Sequence, residues 1–496
     1  MNLFGETLSI GAALFLLLAL GLALSFEFVN GFHDTANAVA TVIYTHSLKP
    51  NVAVVWSGCW NLIGVLTSSG GVAFGILALL PVELVLNIGS AAGFAMVFAL
   101  LISAIIWNIG TWYLGLPASS SHTLIGSIMG VGLANSLLSK GHVFGEGVNW
   151  GKVTEVFTSL LLSPVIGFTL AALLLLVSKA LIKRPELYTA PDPEKGPPLW
   201  IKGLLIFTCT GVSFAHGSND GQKGMGLLML ILVGIVPAQF ALNLGTDTPS
   251  LNKLLATSKT ISITIDKLGG GKSLSEGEAK EELSSFLKTT GSQTPNTFPA
   301  LKAVNDQITE HLNKTSNLAS LTKPDRSVLR SDIYLVSETI GKLDKKHQFK
   351  DEGEKKAVTA YKSDLDKLTK FIPVWVKVVV ALALGFGTMI GWKRIVVTVG
   401  EKIGKDHLTY AQGASAELVA MGTILAADHF NLPVSTTHVL SSGVAGTMAA
   451  NKSGLQMGTL RNLLLAWVLT LPVCVFLGAA TFSAGFYIVF HVLGLK

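Results

Sequence analysis

Charge is scarce in most of this chain. Asp, Glu, Lys and Arg make up 14% of its 496 residues, against roughly 25% in an average soluble domain. Apolar residues make up 50%, and the mean hydropathy is +0.54. More than half of the charged side chains lie in residues 251–370. This distribution excludes an ordinary soluble protein and predicts an all-α integral membrane protein with a polar, mostly helical insert.

Several other absences narrow the function. Cys59, Cys209 and Cys474 stand singly in apolar runs, which excludes a disulfide framework and a thiolate zinc site. No Lys or Arg precedes Lys49, so the basic start of a cleavable signal is missing and the first apolar run should remain as a span. There is no Gly-x-x-x-x-Gly-Lys-Ser/Thr motif for ATP. The net charge of +6 is not concentrated in a basic helix, so we expect no nucleic-acid partner.

Apolar runs long enough to cross a bilayer recur about five times on each side of a polar linker. In the insert, residues 327–343 and 355–371 look helical, whereas residues 268–299 are rich in Gly, Ser, Thr and Pro and are expected to form a loop. We divide the chain into a first membrane repeat (1–182), a cytoplasmic linker (183–200), the first part of a second repeat (201–242), the insert (243–370) and the remainder of the second repeat (371–496).

The basic residues predict the orientation. If the N-terminus is outside, alternate crossings place Lys49, Arg184, Arg394 and Arg461 inside, as the positive-inside tendency requires, and only Lys140 and Lys152 depart from it. The second half then starts on the opposite side from the first. We therefore expect an inverted-topology repeat of about 5+5 spans, with both termini and the insert outside. Five tryptophans near span ends should anchor the chain at the membrane interfaces: Trp107, Trp112, Trp150, Trp375 and Trp392.

Two polar motifs occur once in each half, in the same order. Residues 30–37 (Asn-Gly-Phe-His-Asp-Thr-Ala-Asn) match residues 216–223 (His-Gly-Ser-Asn-Asp-Gly-Gln-Lys). Residues 116–122 (Leu-Pro-Ala-Ser-Ser-Ser-His) match residues 432–438 (Leu-Pro-Val-Ser-Thr-Thr-His). All four lie in or beside apolar runs, where a buried polar group is costly. This duplication indicates a substrate path between two pseudo-symmetric halves.

The first motif predicts a site for a coupling ion. Gly31 and Gly217 precede the polar cluster and would let a helix unwind, so we expect broken helices there. A helix cap or an interhelical hydrogen bond would explain one copy, but explains two copies in register less well. Lys223 could contact an anion, pair with Asp220 or snorkel to the interface. The expected ligands of the coupling ion or metal are Asp34, Asn37, Asp220, Glu417 and His33.

The second motif predicts an oxyanion site. Pro117 and Pro433 can end one helix and begin the next, which places the following hydroxyls beside free N–H groups at a positive helix end. An enzymatic serine is the weaker interpretation, because no Gly-x-Ser-x-Gly elbow is present. Supporting roles are assigned to His122, His438, Gly31 and Gly217. The expected phosphate ligands are Ser119, Ser120, Ser121, Ser435, Thr436, Thr437, Asn219, Gln222 and Lys223.

These motifs resemble those of the inorganic phosphate transporter (Pit) family. That family carries Gly-x-Asn-Asp-x-Ala-Asn-Ala in its first half, His-Gly-x-Asn-Asp-x-Gln-Lys in the second half of bacterial members, and Pro-x-Ser-Ser/Thr-Ser/Thr-His in both. Here they fall at 31–38, 216–223, 117–122 and 433–438. The pattern is most similar to the bacterial low-affinity phosphate transporters. The resemblance implies a multi-pass protein of the bacterial cytoplasmic (inner) membrane that imports phosphate.

The resemblance also bears on the coupling ion. It implies that Na⁺ occupies the Asp and Asn positions of sodium-coupled members, and that low-affinity bacterial members use H⁺ and carry a neutral divalent metal–phosphate complex. His33 stands where many members have asparagine, and Asn61 where many have glutamate, while Glu417 matches the family's other glutamate. These departures favour H⁺, which a His–Asp pair can carry. We predict a secondary active phosphate symporter, not an enzyme, with no cofactor beyond a co-transported H⁺ or Na⁺ and a divalent metal.

Three alternatives stay open: a Na⁺-coupled phosphate symporter, a sulfate permease of the same family, and an integral-membrane phosphatase. Sulfate has no proton to donate at neutral pH, so competition by unlabelled sulfate would separate the two anions. A phosphatase using Ser120 or Thr436 would turn over an ester without a gradient. A channel would show neither counterflow nor saturation. The expected partners are inorganic phosphate and the lipid bilayer, and a homodimer is left open.

Overall fold

The computed structural model describes most of the chain: residues 1–34, 36–79, 90–138, 144–145, 148–192, 196–288, 291–315 and 317–492. The side chains of Ala36, Asn37 and Val492 lie outside the description.

The described chain is almost entirely helical, apart from a short N-terminal hairpin of β1 (Asn2–Leu3) and β2 (Glu6–Thr7). The helices of the first half are α1 (Ile10–Asp34), α2 (Ala36–Tyr44), α3 (Pro50–Thr67), α4 (Gly71–Leu77), α5 (Ala91–Tyr113), α6 (Ser120–Leu138) and α7 (Trp150–Leu181). After a single 3₁₀ turn (Pro185–Leu187), the second half begins with α8 (Leu199–Ile235) and α9 (Pro237–Phe240). It resumes beyond the insert with α15 (Val374–Met389), α16 (Lys393–Glu401), α17 (Tyr410–His429), α18 (Thr436–Asn451) and α19 (Met457–Tyr487), which a π turn (Ile488–Val492) follows.

Within the residues that the structure describes, five segments are long and apolar enough to cross a membrane by themselves. They are Ile10–Tyr44, Ala91–Tyr113, Trp150–Leu181, Leu199–Ile235 and Met457–His491. The count rises to seven if the bent pairs α3–α4 (76°) and Glu352–Thr369 with α15 (74°) each form one span. The all-α membrane class is therefore confirmed, and the larger number of about ten crossings stays a prediction. The helices that begin at the Pro–hydroxyl motifs, α6 and α18, are less apolar because they carry the hydroxyl clusters.

The broken helix expected at the second Asp motif is not observed. Helix α8 runs without interruption over 37 residues, and residues 216–223 lie in its middle. In the first half, α1 continues through Gly31 and ends at Asp34, and Thr35 lies outside the described residues. The glycines therefore have another use in this structure, which their contacts identify below.

Helices from the two halves pack directly against each other. Helix α6 lies along α19, and α7 lies along α18. Helix α1 packs on α15, and α3 packs on both α8 and α15. These crossings leave α1 and α8 in contact at the centre of the molecule. The described polar side chains of both motifs are buried among these helices.

The insert is a separate helical bundle with its own apolar core. Its helices are α10 (Thr248–Gly269), α11 (Glu276–Leu287), α12 (Thr297–Asn313), α13 (Lys323–Lys345) and α14 (Glu352–Thr369). The helical interpretation of residues 327–343 and 355–371 is confirmed, whereas the loop expected at 268–299 is wrong over α11. A capping box between Ser275 and Glu278 starts α11 despite its polar composition.

The bundle rests on the same end of the membrane helices as the N-terminal hairpin. Arg326 Nη1 donates to Ala238 O at 2.7 Å, and Ala238 N donates to Glu6 Oε1 at 2.8 Å. Where the insert begins and ends, Asn243 N donates to Leu368 O at 2.7 Å. The two ends of the insert therefore meet, and the bundle can be removed without stretching the chain.

Deleting residues 251–365 and joining the ends with a short Gly-Ser linker should spare the phosphate uptake that the sequence motifs predict. The core of the bundle is separate from that of the membrane helices, and the hydrogen bond between its ends shows that a short linker suffices. Uptake by proteoliposomes containing equal amounts of full-length and shortened protein is the measurement. A shortened protein that is monodisperse and correctly inserted but inactive would show that the insert takes part in gating or assembly.

Candidate functional site

The two motif carboxylates meet at the centre of the molecule. Asp34 is the last residue of α1, and Asp220 lies in the middle of α8; both are buried. Ser120 Oγ lies 3.2 Å from Asp34 Oδ2 and 3.4 Å from Asp220 Oδ2, so one hydroxyl bridges the two acids. Thr437 donates a short hydrogen bond to Asp34 Oδ1. Each acid-bearing helix thus meets a hydroxyl from a Pro–hydroxyl motif.

A histidine to which the sequence assigns no role stands between the two acids. His216 Nε2 lies 3.8 Å from Asp34 Oδ2 and 3.4 Å from Asp220 Oδ2. Its other nitrogen, Nδ1, lies 2.7 Å from Asn61 Oδ1, which fixes the plane of the ring. The i, i+4 spacing of His216 and Asp220 on one helix is the signal that would have found it.

Lys223 completes the cluster and does not reach the membrane interface. Its Nζ lies 2.8 Å from Asp220 Oδ2 and donates to Ser120 Oγ at 3.1 Å. The side chain is 0% exposed, which excludes snorkelling in this conformation. Of the three roles considered for Lys223, the structure shows pairing with Asp220. A buried lysine beside a buried carboxylate is stabilised by that pairing, since either charge alone would be costly at this depth.

His33 extends the cluster toward α5. Its Nδ1 lies 3.5 Å from Asp34 Oδ1, and its Nε2 lies 3.0 Å from Thr111 Oγ1. Thr111 in turn donates to the Trp107 carbonyl at 2.9 Å. His33 is therefore close enough to exchange a proton with Asp34, and Thr111 orients its ring.

The remaining hydroxyls of the Pro–hydroxyl motifs have other positions. Ser119 and Ser435 cap their helices, since His122 N donates to Ser119 Oγ at 3.2 Å and His438 N donates to Ser435 Oγ at 3.1 Å. Ser121 Oγ donates to Val434 O at 3.0 Å, which joins the two motifs across the halves. Thr436, the first residue of α18, is buried.

Asn219 and Gln222 bind protein groups outside the carboxylate cluster. Asn219 Nδ2 donates to Leu432 O at 3.1 Å, next to the second proline motif. Gln222 Nε2 donates to Asp428 Oδ1 at 2.6 Å, and Ser218 Oγ donates to Asp428 Oδ2 at 2.6 Å. Asp428, at the end of α17, is a further polar residue that the sequence does not single out. These contacts tie α8 to the segment that leads into α18.

Three further predicted residues make their observed side-chain contacts with groups outside the cluster. Glu417 accepts a short hydrogen bond from Thr208, which precedes Asp220 by about 18 Å along α8. His122 and His438 face each other with ring centroids 4.8 Å apart, and His438 also lies 4.3 Å from the Trp467 ring. The side chain of Asn37 lies outside the described residues. The structure thus brings Asp34, Asp220, His33, Lys223, Ser120 and Thr437 together, but not Glu417.

The motif glycines let helices cross at very short distance. A Cβ at Gly31 would overlap Leu384 O on α15, and a Cβ at Gly217 would overlap Asn61 O on α3, both well inside the 3.0 Å that real Cβ contacts respect. At Gly217 this close approach replaces the helix unwinding that the sequence predicts. It also sets the depth at which Asp34 and Asp220 enter the cluster, because each acid follows its glycine by one turn of helix.

The cluster has the composition of a cation or proton site. Asp34, His216 and Asp220 each offer one ligand atom, and these atoms all lie within 4.8 Å of one another. Two carboxylate oxygens and one imidazole nitrogen suit a divalent transition metal better than a hard cation, which prefers oxygen alone. The Lys223 ammonium supplies a fixed positive charge at the edge of the same cluster. A cation that binds here would have to displace the Ser120 and Thr437 hydroxyls from the carboxylate oxygens to which they donate.

Comparison with known proteins agrees with this architecture. Residues 30–478 match the model of the phosphate transporter family. The chain is 42% identical to the low-affinity inorganic phosphate transporter PitB of Escherichia coli K12, over 98% of each chain. It is 41% identical to PitA of the same strain, over 97% of each chain. A solved structure of a sodium-dependent phosphate transporter has a TM-score of 0.51 at 19% identity, covering 95% of this chain and 98% of the other.

Long apolar helices that enclose a buried polar centre, with acids and hydroxyls drawn from both halves of the chain, define a multi-pass membrane transporter. The chain belongs to the phosphate transporter family. The resemblance to the Pit family seen in the motifs is confirmed, and so is the prediction of a transporter rather than an enzyme.

Proposed function

We propose that this protein imports inorganic phosphate by symport with H⁺. The observation that carries the proposal is the buried cluster in which Asp34, Asp220, His216 and Lys223 meet Ser120 and Thr437. Hydroxyl and ammonium groups are donors for a phosphate oxyanion, and the acids accept protons. Phosphate displaces the hydroxyls from the carboxylates when it binds, and this exchange couples anion binding to proton binding.

The charge of the cargo explains why cations must accompany it. Phosphate is an anion at neutral pH, and the cluster already holds two carboxylates against one lysine. An uncompensated anion in a low-dielectric site is strongly disfavoured. Protonation of Asp34 or Asp220 removes a negative charge and leaves a carboxyl O–H that can donate to the anion. Proton and phosphate therefore stabilise each other in the site.

Proton coupling is favoured over Na⁺ by the donor set. His216 lies between the acids and presents a nitrogen where a sodium site would need oxygen. His33 beside Asp34 supplies an imidazole nitrogen that can accept a proton. Glu27, two helical turns before Asp34, is fully buried and forms no ion pair within the described residues. We include Glu27 as a second group that could bind the transported proton, since a buried carboxylate without an ion-pair partner is costly.

The same acids fit a neutral divalent metal–phosphate complex as the cargo. In that form the metal takes Asp34, His216 and Asp220 as ligands and phosphate binds on the hydroxyl side. The two forms differ in what is transported, since metal would enter in proportion to phosphate only in the second. This alternative is tested in the same vesicles as proton coupling.

We also propose that the two halves are an inverted repeat. Exchanging α1 with α8, α3 with α15, α5 with α17, α6 with α18 and α7 with α19 maps the most extensive contacts among these helices onto one another. The closest crossings obey the same exchange: a Cβ at Gly64 would overlap Phe214 O, and a Cβ at Gly387 would overlap Phe28 O. Helix α1 starts at the hairpin end of the molecule, whereas α8 finishes there. The paired helices therefore run in opposite directions.

Orientation follows from this arrangement and the charges. Lys183, Arg184, Lys393, Arg394 and Arg461 lie at the end of the helices opposite the insert. The positive-inside tendency places that end in the cytoplasm of a bacterial inner membrane and both termini outside. Phosphate would then enter from the insert side and leave among the basic residues.

Labelled phosphate should accumulate in proteoliposomes under an inward proton gradient alone, with no Na⁺ present. Uptake should disappear when the pH gradient is collapsed, because no other driving ion is available. Adding Na⁺ without a pH gradient should give only equilibration. Accumulation that follows the Na⁺ gradient instead would overturn proton coupling while leaving phosphate transport intact.

Two additions to that assay resolve the cargo. Uptake that persists in chelator-treated buffer shows phosphate travelling with protons, whereas uptake restored in proportion to an added divalent metal shows the complex. A hundredfold excess of unlabelled sulfate should leave uptake unchanged, since sulfate has no proton to donate to the acids at neutral pH. If sulfate inhibited uptake as strongly as the same concentration of unlabelled phosphate, the protein would be a less selective oxyanion transporter.

A further inference from the structure

An open groove lies at the opposite end of the membrane helices from the insert, between the end of α5 and the start of α16. Its volume is about 640 Å³, the size that holds a small organic ligand and far more than a phosphate ion needs. Aromatic and basic side chains alternate along its walls: Trp112, Tyr113, Trp392, Lys393, Arg394 and Lys402. We call this feature the aromatic–basic groove.

The walls of the groove are held by specific contacts. Trp112 Nε1 donates to Gly391 O at 2.8 Å, which ties α5 to the turn before α16. Arg394 Nη1 donates to Tyr113 O at 3.0 Å, and its guanidinium lies over the Trp112 and Tyr113 rings at 5.2 and 5.0 Å. Hydrogen bonds and cation–π contacts therefore hold the walls of the groove in place, and the Arg394 side chain is part of its wall.

The two lysines leave the groove with uncompensated positive charge. Neither Lys393 nor Lys402 forms an ion pair in the part of the chain that the structure describes, and both are exposed. Glu401, the acidic residue of α16, is not among the residues that line the groove. An anionic group entering the groove would meet two lysines without displacing a carboxylate.

The depth of the groove matches the headgroup level of a bilayer. Helix α15 begins directly after the insert and ends at Met389, just before the groove. Its 16 residues span about 24 Å, which approaches the thickness of a bilayer's hydrocarbon core. Tyr113, Leu114 and Ile390 beside the groove are 64%, 69% and 57% exposed. Apolar surface is thus available for acyl chains next to a basic pocket at the membrane interface.

We propose that the aromatic–basic groove binds the phosphodiester headgroup of an anionic phospholipid, with its acyl chains along the exposed apolar residues. Basic pockets between membrane helices on the cytoplasmic side recognise such headgroups, and tryptophan and tyrosine favour the same level of the bilayer. The size of the groove and its apolar border favour a lipid over free phosphate. The proposal is independent of which ion drives transport.

Lipid in the groove would also bear on the transport site. The Trp112 ring packs against Phe32 with centroids 5.0 Å apart, and Phe32 precedes His33. Thr111, next to Trp112, lies 3.0 Å from His33 Nε2. A headgroup that holds α5 and α16 together therefore steadies the wall against which His33 is positioned. We expect bound lipid to raise the rate of uptake as well as the stability of the protein.

The test is native mass spectrometry of the purified full-length protein with equal amounts of phosphatidylglycerol and phosphatidylcholine. Wild-type protein should retain phosphatidylglycerol preferentially. The variant Lys393→Gln/Lys402→Gln should lose about thirtyfold of that preference, since each lysine near the membrane surface contributes about fivefold. The matched control Lys183→Gln/Arg461→Gln removes two charges from the same end of the molecule outside the groove, and should bind like wild type.

Each result decides the proposal. Restored preference in Lys393→Arg/Lys402→Arg would show that the charge is what matters, and would support it. No lipid preference in wild-type protein, or equal loss in the control variant, would overturn it without reliance on a variant's folding. Release of phosphatidylglycerol by millimolar inorganic phosphate would assign the groove to free phosphate and would also overturn it. We expect the wild-type protein to retain phosphatidylglycerol, and we expect millimolar inorganic phosphate not to release it.

Discussion

Replacing either Asp34 or Asp220 by asparagine should reduce net phosphate uptake to the level of empty liposomes, with the protein still folded and inserted. Asparagine keeps the shape of the acid and can still accept a hydrogen bond from Ser120, but it cannot bind or release a proton. Under proton coupling, each variant resembles a permanently protonated site. It should therefore still exchange labelled for unlabelled phosphate across the membrane, because exchange needs no net movement of protons.

The measurement compares net uptake under a pH gradient with exchange between phosphate-loaded vesicles and labelled medium. Asp406→Asn, at an exposed carboxylate in the loop before α17, is the matched control and should behave as wild type. Wild-type net uptake in Asp34→Asn or Asp220→Asn would refute the role given to the duplicated motif. Loss of exchange together with uptake would place the acids in phosphate binding rather than in coupling.

Duplication explains why the sequence predicts so much of this centre. Four short polar motifs stand out against apolar runs, and repetition separates them from chance polar residues. That signal predicts Asp34, Asp220, Ser120 and Thr437, and the structure places them in direct contact. Their separations in the chain carry no such information, because the hydrogen bonds from Ser120 on α6 and Thr437 on α18 to the two acids form only in the folded structure.

The sequence could not assign roles within a run of hydroxyls. Ser119, Ser120 and Ser121 are equivalent in composition, yet one caps the helix, one bridges the acids and one bonds to the other half. Successive residues on a helix point about 100° apart, so the role of each depends on the residue at which α6 begins. The role of His216 is hidden for a related reason, because its partner Asp34 comes from a helix 182 positions earlier in the chain.

The glycines show a different limit of sequence reasoning. Glycine permits both an unwound helix and a close crossing, and the sequence does not say which neighbour approaches. The structure shows a close crossing at both positions, because a backbone carbonyl of the facing helix lies against Gly31 and against Gly217. At Gly217 the helix is also continuous. Small residues at helix crossings are a common means of association in membranes, where apolar burial contributes little. The two close crossings therefore stabilise the protein as well as position the acids of the site.

Gly31→Ala and Gly217→Ala should each destabilise the protein strongly. The added methyl meets a backbone carbonyl of the facing helix, Leu384 O for Gly31 and Asn61 O for Gly217, and neither can rotate away as a side chain would. Such overpacking costs about 1–3 kcal/mol, which raises the ratio of unfolded to folded protein roughly 5- to 150-fold. Separating the helices would also shift Asp34 or Asp220 relative to Ser120, so uptake should fall even in the fraction that remains folded.

Two glycines on the same helices supply matched controls. A methyl group added at Gly21 on α1 or at Gly203 on α8 would meet no atom of a neighbouring helix within 4 Å. Alanine there should therefore be neutral or should gain up to about 1 kcal/mol from helix propensity. Thermal unfolding in detergent, followed by size-exclusion chromatography, measures all four variants. The same Gly→Ala substitution is thus expected to lower the stability of the protein at the close crossing and to leave it unchanged or raise it at the control position of the same helix. If Gly31→Ala and Gly217→Ala unfold at the same temperature as Gly21→Ala and Gly203→Ala, the close crossing does not hold these helices together.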